Sequence, residues 1–121
     1  MILVAAVVVA GAAAAGLVLV LVPRTEAPPS YAADVQPIFD AKCVSCHPVA
    51  YPYLDLREGR SYRDLVRANA ETKPAFYRVL PGRPELSYLL THPPDPSLRD
   101  LLSSDEHETI AAWIRAGARN D

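Results

Sequence analysis

An all-α chain, with a single membrane-spanning helix at its N-terminus and a small helical domain behind it, is predicted by three observations. Residues 2–22 are an unbroken apolar run without a charge. Beyond them, apolar residues recur at helical spacing, and the alternation that marks strands is absent. A proline-rich stretch divides the two, so the chain reads as an anchor over 1–22, a linker over 23–30 and one domain over 31–121.

The anchor comes first. At ~1.5 Å per residue, Ile2 to Val22 is long enough to cross the ~30 Å hydrocarbon core of a bilayer. A soluble core helix would show a polar face, and this run has none. A cleaved signal peptide would carry a basic start and an apolar core of ~7–15 residues. This run is longer, and no convincing small-residue cleavage site follows it, so a retained single-pass anchor is expected. Gly11, Ala12 to Ala15 and Gly16 would allow close packing against another membrane helix. The linker, with Pro23, Pro28 and Pro29, favours an extended, semi-rigid spacer.

Four helical segments are expected in the domain. Asp34 can cap the first, which runs through Ile38 and Phe39 toward Cys43 with Pro37 in its opening turn. Ser61 precedes the second, Tyr62 to Ala68, which ends near Asn69. Pro84 opens the third, with Leu86, Leu89 and Leu90 on one side. Ser103 or Ser104 caps the last, where Asp105 and Glu106 complement the helix dipole, Ile110, Trp113 and Ile114 recur at helical spacing, and Gly117 ends the run.

Charge says less. The net charge is −2, but Arg57, Arg60, Arg63, Arg67, Lys73, Arg78 and Arg83 crowd the middle while acidic residues dominate after Asp95. That middle is read as solvated surface, with a docking patch, or cations that neutralise the acidic groups of a bound cofactor, as the functional alternatives. Arg60, Arg63 and Arg67 would share a helical face. The near-neutral balance gives no support to nucleic-acid binding.

The chemistry lies in Cys43-Val44-Ser45-Cys46-His47, which holds both cysteines of the chain. Two thiols three positions apart can each add to a haem vinyl group, and the neighbouring histidine then faces the iron. The pattern therefore points to one covalently bound haem c, with His47 as an iron ligand and with propionates that cations of the basic middle would neutralise. Three other uses of the pair stay open. A redox dithiol would be expected beside a βαβ pattern. A structural zinc site would need four well-placed ligands. A disulfide across so short a loop would contribute little stability. Haem attachment normally occurs on the exported side of the membrane, which places the domain there although Arg24 weakly favours the opposite topology.

The order of several segments carries a resemblance. Asp34 to Phe39 before the cysteine motif, then Leu54-Asp55-Leu56, Val79 to Ser87 and Trp113 to Ala118 together resemble the small class I-like mono-haem cytochrome c domains of planctomycete type. The resemblance implies a helical fold whose first and last helices cross beside the haem, with Phe39 and Trp113 in contact there. Related domains place a methionine loop before the last helix. The only methionine here is Met1, and Thr91-His92-Pro93-Pro94 stands at the corresponding place. His92 is thus expected as the second iron ligand, in a loop stiffened by its prolines. His107 competes for that role, though a partly buried core histidine is the commoner use of its position; a five-coordinate iron is the third possibility. Tyr51 and Tyr53 would wall the haem edge.

These readings converge on an electron carrier held in the inner (cytoplasmic) membrane with its haem domain on the periplasmic side. Its partners would be redox proteins, as subunits of a respiratory or photosynthetic membrane complex, and no small-molecule substrate is expected. Histidine in place of methionine would lower the haem potential. A five-coordinate haem enzyme or gas or peroxide sensor, and a zinc-binding structural module, are the alternatives from other classes.

Overall fold

The computed structural model describes Gly16, residues 26–91 and residues 100–121. The expected anchor over 2–22, most of the linker's first half and His92 lie outside the described residues, among which no helix is long and apolar enough to cross a membrane. Among the described residues the fold is all-α, as expected, with only isolated bridge pairings and no strand.

The first helix begins earlier than the sequence suggests. Ser30, rather than Asp34, is its cap: the Ser30 hydroxyl accepts from the Ala33 amide, and the Ser30 amide donates to the Asp34 carboxylate at 2.7 Å. A π-helical turn, Tyr31–Val35, then passes directly into α1, Gln36–Lys42, with Pro37 in the opening turn where its missing N–H costs nothing. Asp121 holds this start from the far end of the domain. Its main-chain oxygen accepts from the Ala32 amide at 2.8 Å, and its carboxylate accepts from the Tyr31 amide at 3.1 Å.

The second helix, α2, is Ser61–Leu65, shorter than expected. Val66 turns extended and Arg67 adopts φ 59, because the chain leaves the helix to pair with a later segment. Arg67 N–H donates to Val79 O at 2.9 Å, and Arg78 N–H donates to Ala68 O at 2.7 Å. Long-range backbone pairing thus overrides a local helical signal. With the helix ended, Arg67 is no longer on a common face with Arg60 and Arg63. Ser61, expected just before α2, is its first residue and is buried in the core.

The expected third helix is two elements. Pro84–Leu86 forms a 3₁₀ turn, Ser87 is extended, and α3 is Tyr88–Thr91. The buried Ser87 hydroxyl accepts from Leu80 N–H at 3.0 Å and donates to Arg83 O at 2.9 Å, which stitches the loop at the point of the break. Leu89 and Leu90 pack on the core while Leu86 is exposed.

The last helix matches its expectation closely. α4, Ser104–Arg115, starts from a capping box: Ser103 Oγ accepts from the Glu106 amide at 3.1 Å, and Glu106 returns its carboxylate to the Ser103 amide at 2.8 Å. Gly117, at φ 114, lets the chain reverse at the end, a conformation that side chains resist. The reversed tail closes over the core. Ala118 O accepts from the Tyr62 hydroxyl, and Arg119 O accepts from the Trp113 indole, both at 2.8 Å.

The core joins Tyr31, Val35, Ile38, Phe39, Leu56, Leu65, Val79, Ile110, Trp113, Ile114 and Ala118. α4 packs chiefly on the π-helical turn before α1. Tyr31, given no role by the sequence, is central there: its ring lies 4.9 Å from Trp113, 5.3 Å from Tyr62 and 6.3 Å from Phe39. Both Phe39 and Trp113 are buried, and Tyr31 contacts each of them.

Candidate functional site

The cysteine motif grows straight out of α1. The Cys43 and Val44 amides still donate to Phe39 O, at 2.8 and 3.0 Å, so the helix delivers Cys43 without an intervening loop. A tight turn follows, in which Cys43 O accepts from both Cys46 N–H at 3.1 Å and His47 N–H at 2.9 Å. Residues three and four positions on from a helical residue return to its side of the turn. The main chain therefore returns Cys46 and His47 to Cys43 within a single hydrogen-bonded turn. A second turn, from Cys46 O to the amides of Ala50 and Tyr51, continues the path.

The two thiols are unequal. Cys43 is half-buried against the core and Cys46 is exposed; neither is in a disulfide. Burial, with Cys46 close by, pushes the Cys43 thiol up to about 11. A nucleophilic redox dithiol requires the opposite, a thiol whose pKa is lowered by its surroundings. Among the described residues, no three histidine, cysteine or carboxylate side chains gather in a way that could hold a metal ion.

Aromatic rings surround the histidine. The His47 ring lies 5.2 Å from Tyr51 and 6.2 Å from Tyr53, and the two tyrosines are 6.0 Å apart. Both tyrosines keep much of their surface exposed, as do Val49 just after the motif and Leu101 near Lys42. Leu54, Leu89, Leu90 and Leu102 contribute half-buried apolar surface at the margin of the core.

Basic residues approach from two directions, and neither is the Arg60–Arg63–Arg67 set singled out by the sequence. Arg78 donates to Tyr53 O at 3.2 Å and to Asp64 O at 2.8 Å, which ties the aromatic segment to α2. Lys42, next to Cys43, donates to Leu101 O at 3.1 Å and pairs with Glu106 at 3.5 Å, joining the end of α1 to the start of α4. Arg57 and Arg60 instead face Asp55, at 2.6 and 4.0 Å, and Arg63 pairs with Asp64 at 3.4 Å.

The histidines other than His47 are His92 and His107. His92 lies outside the described residues, so its meeting with His47 is not part of the geometry described. His107 is exposed, contrary to the partly buried position expected from its spacing to Ile110 and Ile114. The reason is longitudinal rather than angular: its amide donates to Ser103 O in the first turn of α4, and full burial on this helix begins only at Ile110.

A polar network escaped the sequence reading altogether. Gln36 and Ser61 are buried. Ser61 donates to Gln36 Oε1 at 2.5 Å, and Gln36 Nε2 donates to Leu56 O at 2.8 Å and to the Asp40 carboxylate at 2.9 Å. Tyr31 hydrogen-bonds Ser61, and Leu56 N–H reaches His47 O at 3.4 Å. The available signal was a glutamine immediately beside a strongly apolar helical stripe, which is too common to single out alone. The chain matches no known protein-family model, no curated protein and no solved structure.

Proposed function

We propose that this chain is a membrane-anchored mono-haem cytochrome c that transfers single electrons between redox proteins on the periplasmic side of the inner membrane. The observation that carries the reading is the turn at the end of α1, which holds Cys43, Cys46 and His47 within one set of main-chain hydrogen bonds. The residues present fit a covalently held haem. Two thiols outside any disulfide share that turn with an imidazole, and aromatic surface of the kind a macrocycle would cover adjoins His47 at Tyr51 and Tyr53.

Haem bound there supplies a one-electron iron couple. The chain's own groups do the rest. Cys43 and Cys46 would attach the group, and His47 and His92 would hold its iron, Met1 being the only methionine. Tyr51 and Tyr53 place aromatic surface beside His47. Residues 2–22 confine the domain to the membrane, which raises the effective concentration of membrane-bound redox partners.

Haem-dependent peroxidase staining after denaturing electrophoresis tests attachment directly. The wild-type chain stains and the Cys43→Ala/Cys46→Ala double variant does not; an unstained, colourless wild-type chain sinks the proposal. Ligation is tested by carbon monoxide binding to the ferrous protein. His92→Ala binds it and His107→Ala, like the wild type, does not. Exchange of those two results would assign His107 as the ligand, and ready binding by wild type would favour a five-coordinate haem enzyme or sensor.

A further inference from the structure

The hydrogen-bond roles around Gln36 are fully determined by chemistry. Ser61 has one hydroxyl proton and gives it to Gln36 Oε1, so the Tyr31 phenol must be the donor in its bond to Ser61. With Oε1 accepting, the Gln36 amide has one orientation, and both Nε2 protons are used, on Leu56 O and the Asp40 carboxylate. A single donor chain therefore runs from Tyr31 through Ser61 and Gln36 to Leu56. Leu56 in turn donates its amide to His47 O. Both Gln36 and Ser61 are almost wholly shielded from water, at 4% and 1% exposure, so their polar atoms depend on partners within the protein.

We infer that Gln36 is a positioning residue for His47: its buried amide holds the Leu54–Leu56 segment against the His47 main chain and so fixes how the imidazole is presented as an iron ligand, resting on the haem reading above. The Tyr31 ring connects this chain to Trp113 of α4. The orientation of His47 is thereby referred to the central packing of the domain rather than to the exposed turn in which it sits. Asp55 adds a second hold on the same segment, because its amide donates to the Asp64 carboxylate at 3.1 Å.

Gln36→Leu keeps the bulk and removes every polar role. Val79→Ala, also buried but outside this network, serves as the control for mere loss of stability. In the full-length protein, amide hydrogen exchange at Leu56 should quicken about tenfold in Gln36→Leu, the effect of losing roughly one buried hydrogen bond, with little change at Ala116 of the α4 terminus. The ferric electron-paramagnetic-resonance signal, which reads axial imidazole orientation, should broaden into more than one population, and the midpoint potential should move. Val79→Ala should leave both where they are. Tyr31→Phe, which keeps the ring and loses the first donor, should shift the same readouts less, and decides the matter if Gln36→Leu does not fold. A wild-type chain without covalent haem overturns the functional reading and this inference with it. Haem retained, with signal and potential unmoved in the network variants or moved equally in Val79→Ala, overturns this inference alone.

Discussion

Single residues in this domain matter most where a polar group is held away from water. Asp55 illustrates this. Its carboxylate accepts from the Arg57 guanidinium at 2.6 and 2.9 Å and from the Arg57 amide at 3.1 Å. The Arg57 side-chain hydrogen bonds lower its pKa to about 2, from an ordinary value of 3.8. A carboxylate depressed in the folded state adds stability that is fully present above its unfolded pKa and disappears as pH falls through its folded one. That contribution therefore stands above about pH 4 and fades between about pH 4 and pH 2. Urea unfolding midpoints should fall across this window in wild type and fall less steeply in Asp55→Asn; equal slopes would show that the Asp55–Arg57 fork contributes nothing. Ser61 makes a different point about residues. In the sequence it merely precedes a helical run, yet its hydroxyl serves the core network, because a buried donor and acceptor must find partners within the protein.

At the scale of elements, the contrast between α4 and α2 is instructive. α4 carries its own start signal, its own apolar face and its own stop, and each agrees with the next. Ser103→Ala removes an N-cap and half of a capping box, which should cost about 1 kcal/mol and lower the melting temperature by roughly 4–8 °C. Ser103→Gly should cost only a few tenths of a kcal/mol. Calorimetry of the two variants checks this, and an Ala variant as stable as wild type would mean that the box is not maintained in solution. α2 lacks such agreement. Its pattern continues helically to Ala68, but Arg67 N–H and Leu65 O find main-chain partners at Val79, and the helix stops at Leu65. A short helix has little cooperative stability to lose, so a few long-range hydrogen bonds suffice to end it.

At the scale of the whole molecule, the domain is closed by its own ends. Asp121 caps the helix start at Tyr31, the tail seals Trp113, and Gly82 N–H donates to Ile114 O at 2.7 Å, so three distant segments meet around α4. The proposed anchor sits just before this closure. Pro28 and Pro29 lie along α4 beside Glu108, Thr109 and Ala112, so the chain leaves the domain on the α4 side. Intact mass of the extracted protein should include residues 2–22, and extraction should require detergent; a soluble chain beginning near Pro28 would show that the apolar run is a removed signal peptide.

Much of this was legible in one dimension because the responsible forces are local. Helical class follows from apolar periodicity, the α4 boundaries from capping chemistry and a glycine stop, and the candidate site from five consecutive residues, Cys43 to His47. Their sharing of one hydrogen-bonded turn required only that α1 continue into a turn. What needed tertiary structure was every feature that depends on partners far along the chain. The early start of the first helix depends on Ser30 and on Asp121, the truncation of α2 on Val79, and the break before α3 on Ser87 bonding back to Leu80. The exposure of His107 depends on where the core ends along α4, and helical spacing reports the angle around an axis but not the position at which neighbours stop. The Tyr31–Ser61–Gln36 chain is the clearest case, for its three residues are polar, unremarkable and widely spaced until packing excludes water from all of them at once.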